Sequence, residues 1–243
     1  MTDSLPGIGA QCERIVLAVY DTAGVIEVVE GPHGLLESGA PKSLFDCSTG
    51  DPDALQALAV RLAARGVQFI EAPLSGSSEQ IADGVATMLL GGESVVIDTY
   101  AALLEAVTPH RIHVGGAGMG ARAKLATNLV LGLNRAALAE GFVFAEQLGI
   151  PAETFLQLVL ATPARSDAAL TKGERMVRSD FAPQSRIHQH LKDVQLMLTA
   201  AAARGQRLPL TEAHAALLRA AVQAGDAELD NAAIIRQLRR EKR

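Results

Sequence analysis

Apolar positions follow one rhythm before residue 115 and another after it. Ile15–Tyr20 (IVLAVY) is a continuous apolar run, the pattern of a strand buried on both faces. Ser43–Cys47, Val67–Ala72, Ala86–Leu90 and Arg111–Val114 predict further strands. Helical stretches lie between them. One reaches about Val29, one runs from Pro52 to about Arg65, and shorter ones precede Ala86 and Arg111. Asp51 has the chemistry of an N-cap, Pro52 suits the first helical position, and Gly66 closes that helix. Gly31, Pro32, Gly34, Gly39 and Pro41 mark a loop. Strands separated by helices predict a mostly parallel sheet with helices on its faces.

No strand pattern follows residue 115. Ala117–Gln147 predicts one helix, about 45 Å long at ~1.5 Å per residue, stopped by Gly149 and Pro151. Helices are expected at Ala152–Ala161, Asp167–Val177, Ser185–Arg204, Leu210–Ala224 and Asn231–Arg240. The fold class is therefore α/β. A mostly parallel sheet in residues 1–115 is followed by an all-α domain in residues 116–243, and the long helix joins them.

Composition narrows the picture. Apolar residues make up 49% of the chain but aromatics only 3%, so the core must be built from Ala, Leu, Val and Ile. The net charge of −5 argues against a nucleic-acid partner held through phosphates. The basic cluster from Arg236 to Arg243 suits the end of a helix, where cations meet the negative end of the dipole. There is no apolar run of ~18 residues for a membrane span, and no basic start with an apolar run for a signal peptide. A cytoplasmic chain without a membrane partner is expected. Cys12 and Cys47 lack metal spacing and are expected as reduced, small buried hydrophobes. His188 and His190 sit two apart on a predicted helix and point in different directions, so no metal is expected there.

The run from Gly116 to Lys124 (GAGMGARAK) opens the long helix. Gly116-x-Gly118-x-x-Ala121 matches a loose dinucleotide fingerprint. A βαβ unit needs a second strand about 30 residues later, whereas Gln147 is followed by a Gly-Ile-Pro stop and another helix. The glycines are better read as letting the chain turn tightly from sheet into helix. They are also expected to leave the backbone at the helix N-terminus open to a ligand. Lys124 and Asn128, four residues apart, are neighbours on one helix face. That spacing can hold a proton donor and a hydrogen-bonding amide against one substrate oxygen.

Asp46–Thr49, Glu71–Ser77 and the run from Gly115 to Asn128 together resemble the β-hydroxyacid dehydrogenase family, of the 3-hydroxyisobutyrate dehydrogenase type. Asp46-Cys47-Ser48-Thr49 is similar to the family's strand end beside the nicotinamide. Glu71-Ala72-Pro73-Leu74-Ser75-Gly76-Ser77, with Gly84 and Met88–Gly92 after it, is similar to its substrate-binding segment. Gly115 to Asn128 is similar to its catalytic segment. Lys192-Asp193 and the turn Leu208–Thr211 also match, so the resemblance runs from about Cys12 to Leu238. Glu71 stands where the family has Asp, Ser77 where it has Gly, and Thr127 where many members have Asn.

The resemblance implies a partial Rossmann-like domain before residue 116 and an all-α substrate and dimerisation domain after it. It implies a cofactor, NAD or NADP, and hydride transfer on a small hydroxy acid or semialdehyde. Lys124 would be the acid/base, Ser75, Gly76 and Ser77 would bind the carboxylate, and Asn128 would orient the hydroxyl. Tyr20, Thr49 and Lys192 would face the cofactor. A lysine can exchange a proton near neutral pH when partial burial favours the neutral amine. Asp46 is expected to be structural. The family pattern opens with a Gly-x-Gly-x-x-Gly strand–helix turn, and Gly7-Ile8-Gly9-Ala10 is too short for it and precedes no suitable helix. The expectation is a chain lacking the segment that cradles the pyrophosphate. Ile15–Tyr20 then becomes an apolar edge that is poorly soluble or buried in a homo-oligomer. Two other readings compete: a catalytically inactive remnant that binds or dimerises, and an imine reductase, from which a catalytic lysine would be expected to be missing.

Overall fold

The computed structural model describes residues 3–39 and 41–241. They divide into two compact units, one ending at Leu125 and the other beginning at Ala126.

The first unit contains α1 (Leu5–Gln11), β1 (Arg14–Leu17), α2 (Thr22–Glu30), β2 (Ser43–Asp46), α3 (Pro52–Ala63) and β3 (Gln68–Glu71). It continues with β4 (Leu74–Ser75), α4 (Ser78–Ala82), β5 (Thr87–Gly91), α5 (Ser94–Thr99), α6 (Ala101–Val107) and β6 (Arg111–Gly115). The long helix α7 (Met119–Gln147) begins here. The sheet runs in the order β1-β2-β3-β5-β4, with β6 on β5. The β1–β2, β2–β3 and β5–β6 pairs are parallel, while β5 runs against β3 and β4. Parallel pairing thus prevails, three pairs against two.

Alternation along the strands explains the two cores. Leu44 and Phe69 face one side with Leu17, Val25, Val29, Leu55, Leu58 and Leu62. Their chain neighbours Phe45 and Ile70 face the other side with Met88, Leu90, Ile97 and Leu104. Fully burying a side chain such as Phe45 contributes roughly 1.5–3 kcal/mol, and the Tyr100 ring meets it edge-on at 5.1 Å. The N-cap at Asp51 is present, accepting from the N–H groups of Asp53 and Ala54, both at 2.9 Å.

Four features add to or change the expectations from the sequence. The segment around Gly7-Ile8-Gly9 is helical: Ser4 caps α1, and Gly9 packs so tightly on the Leu35 carbonyl that no Cβ would fit. β1 is not buried on both faces. It is the outer strand, the edge that the resemblance implied, with Ile15 and Leu17 facing inward and Val16 55% exposed. Cys12 is exposed because it follows α1 at the surface, whereas Cys47 is half-buried. Burial, with the neighbouring Asp46 charge, pushes the Cys47 thiol up to about 11. β4 was not expected, because two residues are too few to show a period.

The second unit carries the rest of α7 and α8 (Ala152–Ala161), α9 (Asp167–Arg178), α10 (Ile187–Ala202), α11 (Pro209–Gln223), a 3-10 turn (Asn231–Ala233) and α12 (Ile234–Arg240). Asp230 is its fully buried polar centre. It accepts from Lys172 Nζ at 3.0 Å and from the backbone N–H groups of Gln184, Ser185 and Ala232. Gly132 lets α7 pass close to two histidines: a Cβ there would lie 2.5 Å from His190 Nε2 and 3.0 Å from His214 Cε1. The basic tail is ion-paired, with Arg236 and Arg240 on Asp226 and Arg239 on Glu146; residues 242–243 lie outside the described residues. No helix of the described residues is long and apolar enough to cross a membrane.

Candidate functional site

Lys124 lies in the second turn of α7 and is 8% exposed. Its Nζ donates to the Leu74 carbonyl oxygen at 2.8 Å. A buried ammonium needs such acceptors to offset lost hydration. Leu74 opens β4, so the amine is tied to the main chain immediately before Ser75-Gly76-Ser77.

Within that segment the residues have different commitments. Ser75 pairs with Thr87 of β5. A Cβ on Gly76 would meet Ala86 Cβ at 2.8 Å, so the chain passes the residue before β5 too closely for any side chain. Ser77 caps α4 in a reciprocal box: its hydroxyl accepts from the Gln80 N–H at 3.2 Å, and its own N–H donates to Gln80 Oε1 at 2.8 Å. The Ser77 N–H expected to face a carboxylate is therefore used locally, because serine in place of glycine makes a good N-cap.

The start of α7 also differs from expectation. It is not open to a ligand. The Glu71 carboxylate at the end of β3 fills it, accepting from the Gly118 N–H and from the Ala121 N–H at 2.9 Å. Burial pushes this carboxyl above its ordinary range against the pull of those N–H groups, and Asp46 adds to the rise. Asp46 lies beside Glu71 in the β2–β3 register. Burial raises it too, and its Oδ1 accepts from the Ser48 N–H at 2.9 Å. Sequence reasoning missed Glu71; the available signal was an acid closing a buried strand in a chain whose next long helix begins with glycines.

Tyr20 and Thr49 stand just past the carboxyl ends of the adjacent strands β1 and β2, joined there by the Val19 N–H, which donates to Ser48 Oγ at 3.0 Å. Tyr20 is exposed and Thr49 half-buried. In the second unit, Asn128 Nδ2 donates to Asp193 Oδ2 at 3.2 Å, and Lys192 Nζ lies 3.1 Å from Asp193 Oδ1. Asp193 thus holds both the amide and the amine singled out in the sequence. Among the described residues no group of three or more His, Cys, Asp or Glu is arranged to hold a metal.

Comparison with known proteins assigns the family. A family model described as the NAD-binding domain of 6-phosphogluconate dehydrogenase matches residues 1–116. One described as NAD-binding of NADP-dependent 3-hydroxyisobutyrate dehydrogenase matches residues 118–238. The 2-(hydroxymethyl)glutarate dehydrogenase of Eubacterium barkeri is 30% identical over 205 residues, covering 83% of this chain and 68% of that protein. The chain belongs to the β-hydroxyacid dehydrogenase family. Members of this family are NAD(P)-dependent oxidoreductases. Another relative, the 2-hydroxy-3-oxopropionate reductase of Escherichia coli K12, is 29% identical over 225 residues, 92% of this chain and 77% of that one. The crystal structure of a Salmonella typhimurium 3-hydroxyisobutyrate dehydrogenase superposes with a TM-score of 0.87 at 25% identity, covering 96% of this chain and 82% of that one.

A nicotinamide dinucleotide carries a diphosphate, which is commonly seated on free N–H groups at a helix N-terminus. In the first unit the three helices of eight residues or more, α2, α3 and α7, all begin on carboxylates of the protein itself. Asp21 accepts from Gly24 at 2.9 Å, Asp51 caps α3, and Glu71 caps α7. Negative charge in those positions opposes a phosphate, so these three helix starts do not fit the diphosphate of the cofactor.

Proposed function

We propose that this β-hydroxyacid dehydrogenase acts on a small 3-hydroxy acid or its semialdehyde, with Lys124 as general acid/base. The observation that supports this most is the buried Lys124 amine anchored on Leu74, next to the donors of Ser75 and Gly76. In the reducing direction, where NADH or NADPH would supply the hydride to the carbonyl carbon, Nζ gives a proton to the forming alkoxide; in oxidation, where NAD or NADP would take the hydride, Nζ takes the proton from the hydroxyl. The hydroxyls of Ser75 and Ser77 and the Gly76 N–H are the groups offered to the substrate carboxylate. Asn128, one helical turn beyond Lys124, is the amide read as orienting the hydroxyl. Exposed Val130 and Phe144 on α7, with Leu148 just past its end, favour a homo-oligomer, and sedimentation equilibrium reads its number.

The test is turnover of a panel of small 3-hydroxy acids with NAD or NADP by the 243-residue chain and its Lys124→Ala variant. Loss of a positioned acid/base lowers kcat by about 10²–10⁴-fold, with KM little changed. Activity in Lys124→Ala within a few-fold of the parent removes this reading. The carboxylate-filled helix starts favour a second reading, a module that binds or dimerises without turnover. Saturable binding of NADH or NADPH by the same chain rejects it.

A further inference from the structure

We infer that Glu71 is a positioning residue, whose carboxylate sets where α7 begins and so where Lys124 stands. This rests on the acid/base reading of Lys124 only for its functional meaning. The geometry has two parallel ties between the same two segments. Ala121 N–H reaches Glu71 at 2.9 Å, and Lys124 Nζ reaches the Leu74 carbonyl at 2.8 Å. Glu71 and Leu74 are three residues apart on one segment, and Ala121 and Lys124 are three apart on the other. The helix is therefore pinned at two successive points. Slipping one tie displaces the other.

The surroundings are shaped to admit that carboxylate. A Cβ on Gly91 would lie 2.6 Å from Glu71 Oε2, and one on Gly120 would lie 2.8 Å from Glu71 Cβ. Gly118, whose N–H is the other donor, has φ +86, a conformation that side chains rarely adopt. Glycines at 91, 118 and 120 thus line a seat for the protein's own acid. The negative charge also complements the positive end of a 29-residue helix. Glutamine at 71 would keep one acceptor but turn its NH2 toward a backbone donor and remove the charge. Aspartate would keep both.

The chain contains five lysines, Lys42, Lys124, Lys172, Lys192 and Lys242, so acylation of each amine can be followed separately by peptide mass mapping. The experiment compares acetylation rates by an N-hydroxysuccinimide ester in the parent chain, Glu71→Gln and Glu71→Asp. Lys42, with its side chain 69% exposed, is the exposed reference, and Lys172, at 8%, reports general loosening. The expected result is about fivefold faster labelling of Lys124 in Glu71→Gln, the scale of one lost helix-terminus interaction. Lys42 and Lys172 should not change, and Glu71→Asp should return Lys124 to within about twofold of the parent, since the charged cap is restored. Hydrogen exchange at residues 118–121 should accelerate in Glu71→Gln alone. An unchanged Lys124 rate in Glu71→Gln overturns the inference. So does an equal rise at Lys172, or a Glu71→Asp variant no better than Glu71→Gln. Labelling needs neither substrate nor cofactor. A fully active Lys124→Ala would remove the catalytic reading and leave this coupling standing.

Discussion

Lys124 Nζ is held 2.8 Å from the carbonyl oxygen of Leu74, so the amine takes its position from the main chain of β4. Whatever displaces that carbonyl displaces the amine as well. The residue most able to do so is Gly76, two positions on, which has no room for a side chain against Ala86.

Gly76→Ala is expected to destabilise the fold by about 1–3 kcal/mol, the usual cost of forcing a methyl group into a packed contact. The Ala86 Cα would stand only 3.3 Å from the new Cβ, so backbone and not a flexible side-chain end must yield. Urea unfolding measures the loss. The KM of any carboxylate substrate should rise more than kcat falls, because the groups displaced first are the proposed binders.

Asp46→Asn is expected to stabilise the protein at neutral pH. The Asp46 carboxyl is buried, its Oδ2 has no hydrogen-bond partner, and burial raises its pKa. A carboxyl raised in the folded state contributes stability that is fully present below its unfolded pKa and lost as pH rises through the folded value. Asparagine removes that loss, keeps an acceptor for the Ser48 N–H, and relieves Glu71 of a like charge. A gain of about 1 kcal/mol at pH 7 that shrinks toward pH 4 is expected from urea unfolding at the two pH values.

His214 gives the opposite pH sign. It is 3% exposed, and burial, with the Arg135 charge, lowers its pKa to about 4. A depressed histidine contributes stability that is present above its unfolded pKa of about 6.5 and lost as pH falls toward the folded value. The drop between those limits is about 3 kcal/mol on this account. His214→Gln should flatten that part of the stability curve. An unchanged slope between pH 6.5 and pH 4, the unfolded and folded values of this imidazole, would exclude His214 as its source.

Asp230→Ala should be the most damaging single change in the second unit. Burial alone would raise this carboxyl, but the Ala232 N–H and Lys172 outweigh it and lower its pKa. Removing it takes away the carboxylate that acts on buried Lys172 and Arg135. Breaking such a pair costs about 3–5 kcal/mol, read as a lower thermal midpoint. Asp230→Asn, which keeps an acceptor, should lose less.

Much of this architecture was legible along the chain. The buried strand Ser43–Asp46, the capped helix after Asp51, and the change from alternating elements to helices near residue 115 all follow from side-chain period and local capping. Lys124 stood out because a basic residue shortly after a glycine-rich helix start is unusual chemistry in an apolar context. β4 was not legible, since two residues carry no period. The apolar run Ile15–Tyr20 alone read as buried on both faces, and only the comparison with the family pattern pointed to the edge at which Val16 is exposed.

The sequence by itself determined most of the strands and helices, because a side chain's preference and its spacing act over a few neighbours. It could not determine which partner each polar group meets. Glu71 and Ala121 are 50 residues apart, Asn128 and Asp193 are 65 apart, and both pairs exist only after the chain has folded back. A run of glycines has no preference between a phosphate and a carboxylate. Only the tertiary structure decided that the acid seated on the long helix belongs to the protein itself.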